Sequence, residues 1–317
     1  MESTLVKPWS GEVKAKLIDS LPWSPLDFIT GVSPAGDRSV HVESLVRDLD
    51  PGDDLRLSHP LDDESEVAVC AERLAWDSSF FGYGVARLHG IFPLKPCYAY
   101  DADYTPALRA LIHAAKQRGI RYLFAVIDAR DLPTQPALSA LSFALLETRV
   151  YFSVSLRDYH FPRRFRCRSA TADDLDSLSE LARSIENPFD RFNADPFIPK
   201  SETLRLMDTW LRASVLNGYA DLTFVNDAPR PSAVCTVKYH YDKHAIWERS
   251  VAQLVLAMAG RGGRFLGVIS EINYLLKERG FDHVFFSTQL ANRSAIRVGE
   301  HVGYKMGRGE YVFRLLL

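Results

Sequence analysis

The sequence is poor in cysteine and has no excess of either charge. Its 317 residues include four cysteines, at positions 70, 97, 167 and 235, and no C-x-x-C pair. Widely spaced cysteines favour free thiols in a reducing compartment over a disulfide framework or a zinc site. The formal net charge is −2, whereas proteins that bind nucleic acid carry a basic face. We therefore expect neither a metal site nor a nucleic-acid partner.

Long apolar runs are also missing. No stretch approaches the roughly 18 apolar residues that a membrane span requires, and the N-terminus lacks the basic-then-apolar pattern of a secretory leader. We expect a cytoplasmic protein with no membrane partner. A hydrophobic content of 47% is enough for a large core, and the length suits one large domain or two of ordinary size.

Turn residues and hydrophobic periodicity divide the chain into three parts. Residues 1–65 hold scattered prolines, and we expect an N-terminal extension with a short helix near residues 11–20 and loops elsewhere. Residues 66–160 predict the order β-β-α-β-α-β, and residues 161–317 the order β-α-α-β-β-β-α-β-α-β. In the second series, residues 244–256 are predicted as the strand before the glycine-rich turn. This order is typical of an α/β (α+β) fold whose mixed sheet is flanked by helices.

A short echo links the two longer parts. Residues 119–124 (GIRYLF) parallel residues 280–285 (GFDHVF), and each is a helix-ending glycine that leads into a strand. Either a degenerate duplication or chance explains an echo of this length.

A glycine-rich turn is the most informative motif. It joins the apolar residues 251–256 to a helix-like segment at 265–280, and it reads Met258, Ala259, Gly260, Arg261, Gly262, Gly263, Arg264. The first N–H groups of a helix lack intrahelical partners, and the helix dipole makes that end positive. Glycines also let a ligand approach the backbone closely. The turn therefore indicates a phosphate or pyrophosphate site, with an ordinary turn as the alternative.

Three motifs in the C-terminal part resemble the GNAT family of acyl-CoA N-acyltransferases. They are the glycine turn, residues 285–289 (FFSTQ) followed by 292–295 (NRSA), and residues 302–304 (VGY). More narrowly, residues 74–82 (LAWDSSFFG) and 190–196 (DRFNADP) are similar to the N-terminal signature and the acceptor-side loop of bacterial dTDP-fucosamine (TDP-4-amino-4,6-dideoxygalactose) N-acetyltransferases. The resemblance covers about residues 67–317.

The resemblance implies a truncated GNAT-like half at 66–160, followed by a catalytic GNAT domain at 161–317 with a mostly antiparallel sheet. The implied activity is transfer of an acetyl or other acyl group from acyl-CoA to an amine, first of all the amino group of a nucleotide-linked amino-deoxysugar. An amine of another small molecule or natural product is one alternative. A catalytically impaired acyl-CoA-binding protein is another.

The resemblance also implies a set of cofactor-binding residues. The CoA diphosphate is expected on the backbone of the glycine turn and the pantetheine arm beside Met258, while Asn292 reaches the amide groups of the arm. The full predicted set is Met258, Gly260, Arg261, Gly262, Gly263, Arg264, Gln289 and Asn292.

Two positions depart from the GNAT pattern. Arg264 stands where the turn normally ends in Gly or Ala, and its guanidinium either clamps a phosphate or is a solvated surface group. Gly299 stands where a tyrosine would protonate the departing thiolate. Either a nearby residue replaces that acid, or the thiolate leaves without one. The second course is chemically feasible because thiol pKa values lie at about 8.5, so a thiolate is a tolerable leaving group near neutral pH. The candidate replacements are Tyr304, His301 and Tyr311.

The remaining site residues are predicted from their positions near strand ends and in one loop. Candidates for the general base that frees the acceptor amine are Glu248, His240, His244 and Asp195; a solvated surface residue is the alternative for each. A proline-rich loop supplies the predicted acceptor-binding residues, since loops often carry specificity: Phe189, Arg191, Phe192 and Asp195. The apolar strand at 312–317 predicts an exposed edge that could pair in a homodimer.

Overall fold

The chain forms two compact units. The computed structural model describes residues 11–21, 23–61, 65–95, 101–185, 187–260, 262 and 264–317. Unit 1 comprises Met1–Asp27, Val32–Thr148 and Gly309–Leu317, and unit 2 comprises Phe28–Gly31 and Arg149–Arg308. A four-residue piece of the expected extension therefore belongs to the C-terminal unit, and the last strand belongs to the N-terminal one.

The secondary structure follows the chain in this order. The first half contains α1 Gly11–Ser20, α2 Pro34–Val46, β1 Leu57–Pro60, β2 Glu66–Arg73, α3 Ala75–Phe81, β3 Gly84–Pro93, α4 Thr105–Gln117, β4 Ile120–Asp128, α5 Thr134–Ala140 and β5 Ala144–Ser155. The second half contains β6 Cys167–Ser169, α6 Leu175–Ser184, α7 Arg191–Ala194, α8 Lys200–Leu216, β7 Leu222–Asn226, β8 Ala233–Lys238, α9 His244–Trp247, β9 Val251–Ala259, α10 Arg264–Glu278, β10 His283–Gln289, α11 Arg293–His301 and β11 Lys305–Leu316.

Several regions differ from the sequence-based expectation: helix α3 lies between the first two predicted strands, β1 lies in the expected extension, and α2 and α9 replace an expected loop and part of an expected strand. Helix α2 replaces an expected loop: Pro34 occupies its first turn, and the Ser33 hydroxyl accepts the N–H of Gly36 at 3.4 Å. Proline and serine here start a helix, a pattern that also occurs in loops. A strand was expected from His244, but α9 lies there between His240 (φ 50°) and Glu248 (φ 57°). These left-handed residues interrupt an extended chain, so the strand begins only at Val251.

Unit 1 has the strand order β1-β2-β3-β4-β11. Strands β3 and β4 are parallel and are joined through α4, whereas the other pairs are antiparallel. The core lies where α4 covers the sheet. Strand β11 pairs with β4 from Glu310 to Leu316, so its edge is occupied inside the unit. The predicted homodimer gains no support from this strand.

Unit 2 has the strand order β5-β10-β9-β8-β7-β6. Strands β9 and β10 are parallel, and the other registered pairs are antiparallel. One face packs on α10 and α11, through residues such as Val268 and Ile272. The other packs on α6 and α8, through residues such as Leu178 and Leu211. The expected mixed, mostly antiparallel sheet flanked by helices is confirmed.

The described residues contain neither a candidate membrane helix nor a disulfide. No helix in the described ranges is both long and apolar enough to cross a membrane. Cys70, Cys167 and Cys235 are free thiols, and Cys97 lies outside the described residues.

Gly299 on α11 lies against the ring of Phe286. A Cβ atom at position 299 would stand 2.7 Å from Phe286 Cζ. That ring is stacked on Phe152 at 5.3 Å and meets the edge of Tyr304 at 4.9 Å, so it has little freedom to move away. Close packing of the helix on the strand therefore requires glycine where the GNAT pattern has tyrosine.

We predict that Gly299→Ala lowers the free energy of unfolding. Alanine normally stabilises a helix interior by about 1 kcal/mol over glycine, but overlap with the confined Phe286 ring costs about 1–3 kcal/mol. Urea denaturation measures the difference. Glu300→Ala, at an exposed position of the same helix, is the control and should change stability by less than about 0.5 kcal/mol. A Gly299→Ala variant more stable than the wild type would contradict the close contact.

Candidate functional site

A wedge opens between the two parallel strands of unit 2. Strands β9 and β10 pair only from Val251 and His283 to Leu254 and Phe286. Beyond that point β10 continues to Gln289 against β5, and β9 continues to Ala259 against β8. The two strands therefore separate, and the backbone edges of residues 255–259 and 287–289 face a gap. Such edges offer N–H and C=O groups to an extended ligand.

A β-bulge in β9 marks the start of the wedge. The register with β8 shifts between Cys235 and Val237, so that two residues of β9, Val255 and Leu256, stand opposite Thr236. The Thr236 hydroxyl accepts the N–H of Leu256 at 3.0 Å and replaces the lost ladder bond. The bulge increases the local twist of β9, which is consistent with its divergence from β10.

The glycine turn follows β9 at the open end of the wedge and leads into α10. The N–H of Gly260 donates to the Ser232 carbonyl at 2.9 Å, so it is not free to bind a diphosphate. Gly262 is exposed, has φ +117°, and has open space on its Cβ side. Arg264 is the first residue of α10 and is exposed. Among the described residues of the turn, the anion-binding groups that the geometry offers are Gly262 and the first turn of α10.

Three further residues in or before the glycine turn were predicted to bind the cofactor: Met258, Arg261 and Gly263. Arg261 and Gly263 lie outside the described residues. The side chain of Met258 is buried with Leu178 and Leu181 on the face that α6 and α8 cover, so only its backbone borders the wedge.

Asn292 and Gln289 lie near the wedge but have structural partners. Asn292 is the N-cap of α11, and its Oδ1 accepts the N–H of Ala295 at 3.2 Å. This bond satisfies a helix N–H and engages only Oδ1 of the side chain, so the expected contact of Asn292 with the cofactor stays a prediction. Gln289 Oε1 accepts from Asn187 Nδ2 at 2.8 Å. The predicted acceptor loop is therefore tied to the end of β10.

An open cavity of about 410 Å³ lies on the α6/α8 face, beside the bulge. Residues 218–220, after α8, form one wall, and four strand side chains form the floor: Thr236, Lys238, Gln253 and Val255. No sequence pattern distinguishes these residues, because strand residues that line a cavity look like any half-buried strand face. Only the bulge and the end of α8 bring them together.

His240 is a sequence-predicted base that contacts a residue lining this cavity. Its Nε2 lies 3.1 Å from Oε1 of Gln253, which lines the cavity. Burial lowers the pKa of His240 below its ordinary 6.5, although the bond to Gln253 opposes that effect. The imidazole is therefore neutral near pH 7. Because an amide oxygen only accepts, Nε2 carries the proton and Nδ1 has a free lone pair.

The other predicted catalytic residues lie farther from the wedge or are enclosed. Glu248 is exposed and precedes β9, at the closed end of the wedge. His244 Nε2 bonds to the Tyr239 carbonyl at 2.8 Å. Tyr304 is 3% exposed, its hydroxyl donates to Asn273 Oδ1 at 2.8 Å, and burial raises its pKa well above 10. These contacts suit structural roles.

The two remaining candidates for the general acid are His301, at the end of α11, and Tyr311, in unit 1. His301 is exposed at the end of α11, with its ring edge on Phe161 at 5.7 Å. Tyr311 belongs to unit 1, where it pairs with Ile127. The described residues of unit 2 thus offer no obvious replacement for the absent tyrosine at position 299.

The predicted acceptor loop is partly core. Phe192 is 6% exposed against Trp210, and the Arg191 guanidinium lies 4.0 Å from the Phe192 ring. Asp195 is 1% exposed and accepts the N–H of Phe197 at 3.0 Å. Phe189 is 40% exposed. Of the four, Phe189 has the largest surface for a ligand.

Comparison of the chain with known proteins gave matches only among solved structures. No family model matches, and no curated protein matches. A GCN5-related glucosamine N-acetyltransferase region of a fungal multi-domain GH3 β-N-acetylglucosaminidase is 15% identical with a TM-score of 0.62, over 99% of this chain and 38% of that one. A tandem GNAT protein from the clavulanic acid biosynthesis pathway is 12% identical with a TM-score of 0.54, over 99% and 98%.

A GCN5-related N-acetyltransferase from Sphaerobacter thermophilus is 12% identical with a TM-score of 0.53, over 87% of this chain and 85% of that one. The chain has the GNAT fold. Identities this low establish the architecture alone. The resemblance in sequence is thereby confirmed at the level of the GNAT fold, whereas none of these three structures is described as a dTDP-fucosamine acetyltransferase.

We predict that Thr236→Val destabilises the bulge of the GNAT sheet. Valine has the shape of threonine but no hydroxyl, so the Leu256 N–H loses its partner at a cost of about 1–3 kcal/mol. Urea denaturation and amide hydrogen exchange at Leu256 measure this loss. Thr236→Ser keeps the hydroxyl and is the control. If the valine variant is as stable as the serine variant, the hydroxyl does not hold the bulge.

Proposed function

We propose that this protein is an N-acyltransferase that moves an acyl group from acyl-CoA to an amine. The observation that carries the proposal is the wedge between β9 and β10, which opens towards the turn before α10 within a GNAT fold. A long thioester ligand fits this arrangement, because the wedge offers backbone edges to an extended arm and the helix terminus offers N–H groups to a diphosphate.

Exposed arginines on the helices that follow β9 and β10 support a polyanionic ligand. Arg264 begins α10, and Arg293 and Arg297 lie on α11; all three are exposed. Guanidinium groups bind phosphates through charge-assisted hydrogen bonds. The presence of exposed arginines on both helices favours a phosphate contact for Arg264 over a purely solvated side chain.

His240 is our choice for the general base. Bound acyl-CoA would supply the acyl carbon as a thioester, which the acceptor nitrogen attacks as the C–S bond breaks. His240 is neutral near pH 7, and its Nδ1 can take the proton that the amine loses, directly or through one water. Gln253 holds the ring by the bond to Nε2. With glycine at 299, we propose that the thiolate leaves without a dedicated protein acid.

For the acceptor we propose an amino sugar. The fungal neighbour is described as a glucosamine N-acetyltransferase region, and the sequence resembles enzymes that act on a nucleotide-linked amino-deoxysugar. Lys238 on the cavity floor would give a phosphorylated sugar a cation, with Asp221 4.0 Å from its Nζ. The tandem protein from clavulanic acid biosynthesis favours a natural-product amine as the second candidate.

The first test is binding followed by turnover. CoA at 100 times its Kd should stabilise the folded protein by about 2.7 kcal/mol, measured as a rise in Tm. Thiol release from acetyl-CoA is then followed with glucosamine, a nucleotide-linked amino sugar and unrelated amines. Binding of CoA without thiol release from any amine would favour an acyl-CoA-binding protein, and failure to bind CoA would refute the proposal.

A matched pair of variants locates the diphosphate in the same assay. Arg264→Glu should raise the Kd for CoA about tenfold, or about 1.4 kcal/mol. Arg157→Glu makes the same charge change at another exposed position of unit 2 and should leave the Kd within about twofold. Equal effects would mean that only net charge matters.

We predict that His240→Gln lowers kcat about 10²–10⁴-fold and leaves the Kd for CoA unchanged. In the wild type, protonation of His240 removes the base. Because burial lowers its pKa below 6.5, the rate should hold at pH 7 and fall only as the pH drops below 6.5. The variant should lose this acidic limb. His160→Gln, at an exposed histidine, is the control, and an unchanged rate in His240→Gln would exclude the role.

A further inference from the structure

The segment Phe28–Gly31 belongs to unit 2, although the chain on both sides of it belongs to unit 1. It is fixed at its C-terminal end by two contacts. The His283 side chain bonds to the backbone of Thr30. Arg249 lies over Gly31, where a Cβ would stand 2.7 Å from Arg249 Nε. The segment is therefore an integral part of the GNAT unit.

Phe28 stands on an aromatic pair from two adjacent strands. Its ring centroid is 6.2 Å from that of Phe285 on β10, nearly perpendicular, and 5.9 Å from that of Tyr151 on β5. Gly307 lies beneath it, and any Cβ at 307 would overlap the Phe28 ring. Three neighbours thus fix the ring, yet Phe28 remains half-exposed. Part of an immobilised aromatic surface is left open to solvent.

This surface stands beside the wedge, on the same face as the cavity. Phe285 is the register partner of Gln253, and partners in parallel strands point to the same face of a sheet. Gln253 lines the cavity and bonds to His240. The last pair before the wedge, Leu254 and Phe286, lies one residue farther along both strands. The cavity therefore flanks the β9 side of the wedge and Phe28 the β10 side.

We propose that Phe28 is a specificity-determining residue that contacts the acceptor. Its exposed face packs against the C–H face of a sugar ring, while the amine reaches the wedge next to His240. A fixed ring provides apolar area at little entropic cost. This inference rests on the proposed function for its amino-sugar acceptor, but the contact itself can be observed without turnover.

The kinetic test compares Phe28→Ala with Phe28→Leu. Loss of the ring should raise the KM for the amino sugar at least about tenfold, and leucine should give an intermediate value. The Kd for CoA should stay within about twofold for both. Leu132→Ala, at an exposed apolar side chain of unit 1, is the control. An unchanged KM, or an equal rise in the Kd for CoA, would overturn the assignment.

A binding test separates this inference from the proposed function. With glucosamine as the probe, saturation-transfer NMR should show transfer from aromatic protein protons to the ring C–H protons of the sugar in the wild type. Transfer should be lost in Phe28→Ala. If that variant does not fold, Gly307→Ala, which displaces the ring without removing it, should weaken the transfer. Saturation transfer to glucosamine without thiol release would sustain the contact and refute glucosamine as the acceptor of the proposed reaction. No difference between wild type and the variants would refute the contact.

Discussion

The separation of β9 from β10 after Leu254 and Phe286 is the constraint on which the rest of unit 2 depends. Four residue pairs join β9 to β10. After the last pair, the bulge at Val255 and Leu256 directs β9 away from β10. A flat, fully paired sheet would have satisfied every backbone group and left no room for a ligand arm. Here the Thr236 hydroxyl satisfies the N–H that the bulge exposes, so the distortion is retained at small cost.

Unit 1 also has a short parallel strand pair with a register shift beside its end. Its parallel pair β3 and β4 ends at Leu88 and Ala125, and the register with β2 shifts between Cys70 and Ala71, beside that end. In each unit, the second strand of the parallel pair follows a glycine in the left-handed conformation. Gly119 precedes β4, and Gly280 precedes β10. The echo between residues 119–124 and 280–285 thus marks equivalent turns. Residues 94–104 after β3 contain no glycine, so a glycine turn follows only β9. We associate acyl-CoA with unit 2 on that difference.

The fold was predictable because its signals are local and come in a fixed order. A glycine turn before α10, the NRSA motif at α11 and the glycine after that helix each follow from backbone requirements. The same requirements give a structural explanation for residues to which the functional interpretation assigned a role. Asn292 matches a ligand-binding motif, but its oxygen caps its own helix. Tyr304 has a suitable hydroxyl, but it is committed to Asn273 in the core.

Local patterns of consecutive residues were enough to predict the class of the sheet, the place of the glycine turn and the absence of a hydroxyl at 299. The set of side chains that share the candidate site depends instead on how the chain packs. His240 contacts Gln253 because β8 ends beside β9 with Lys238 paired to Gln253, and Phe28 reaches β10 although more than 250 residues separate it from Phe285. Contacts of this kind depend on packing between distant segments, and no local pattern encodes them.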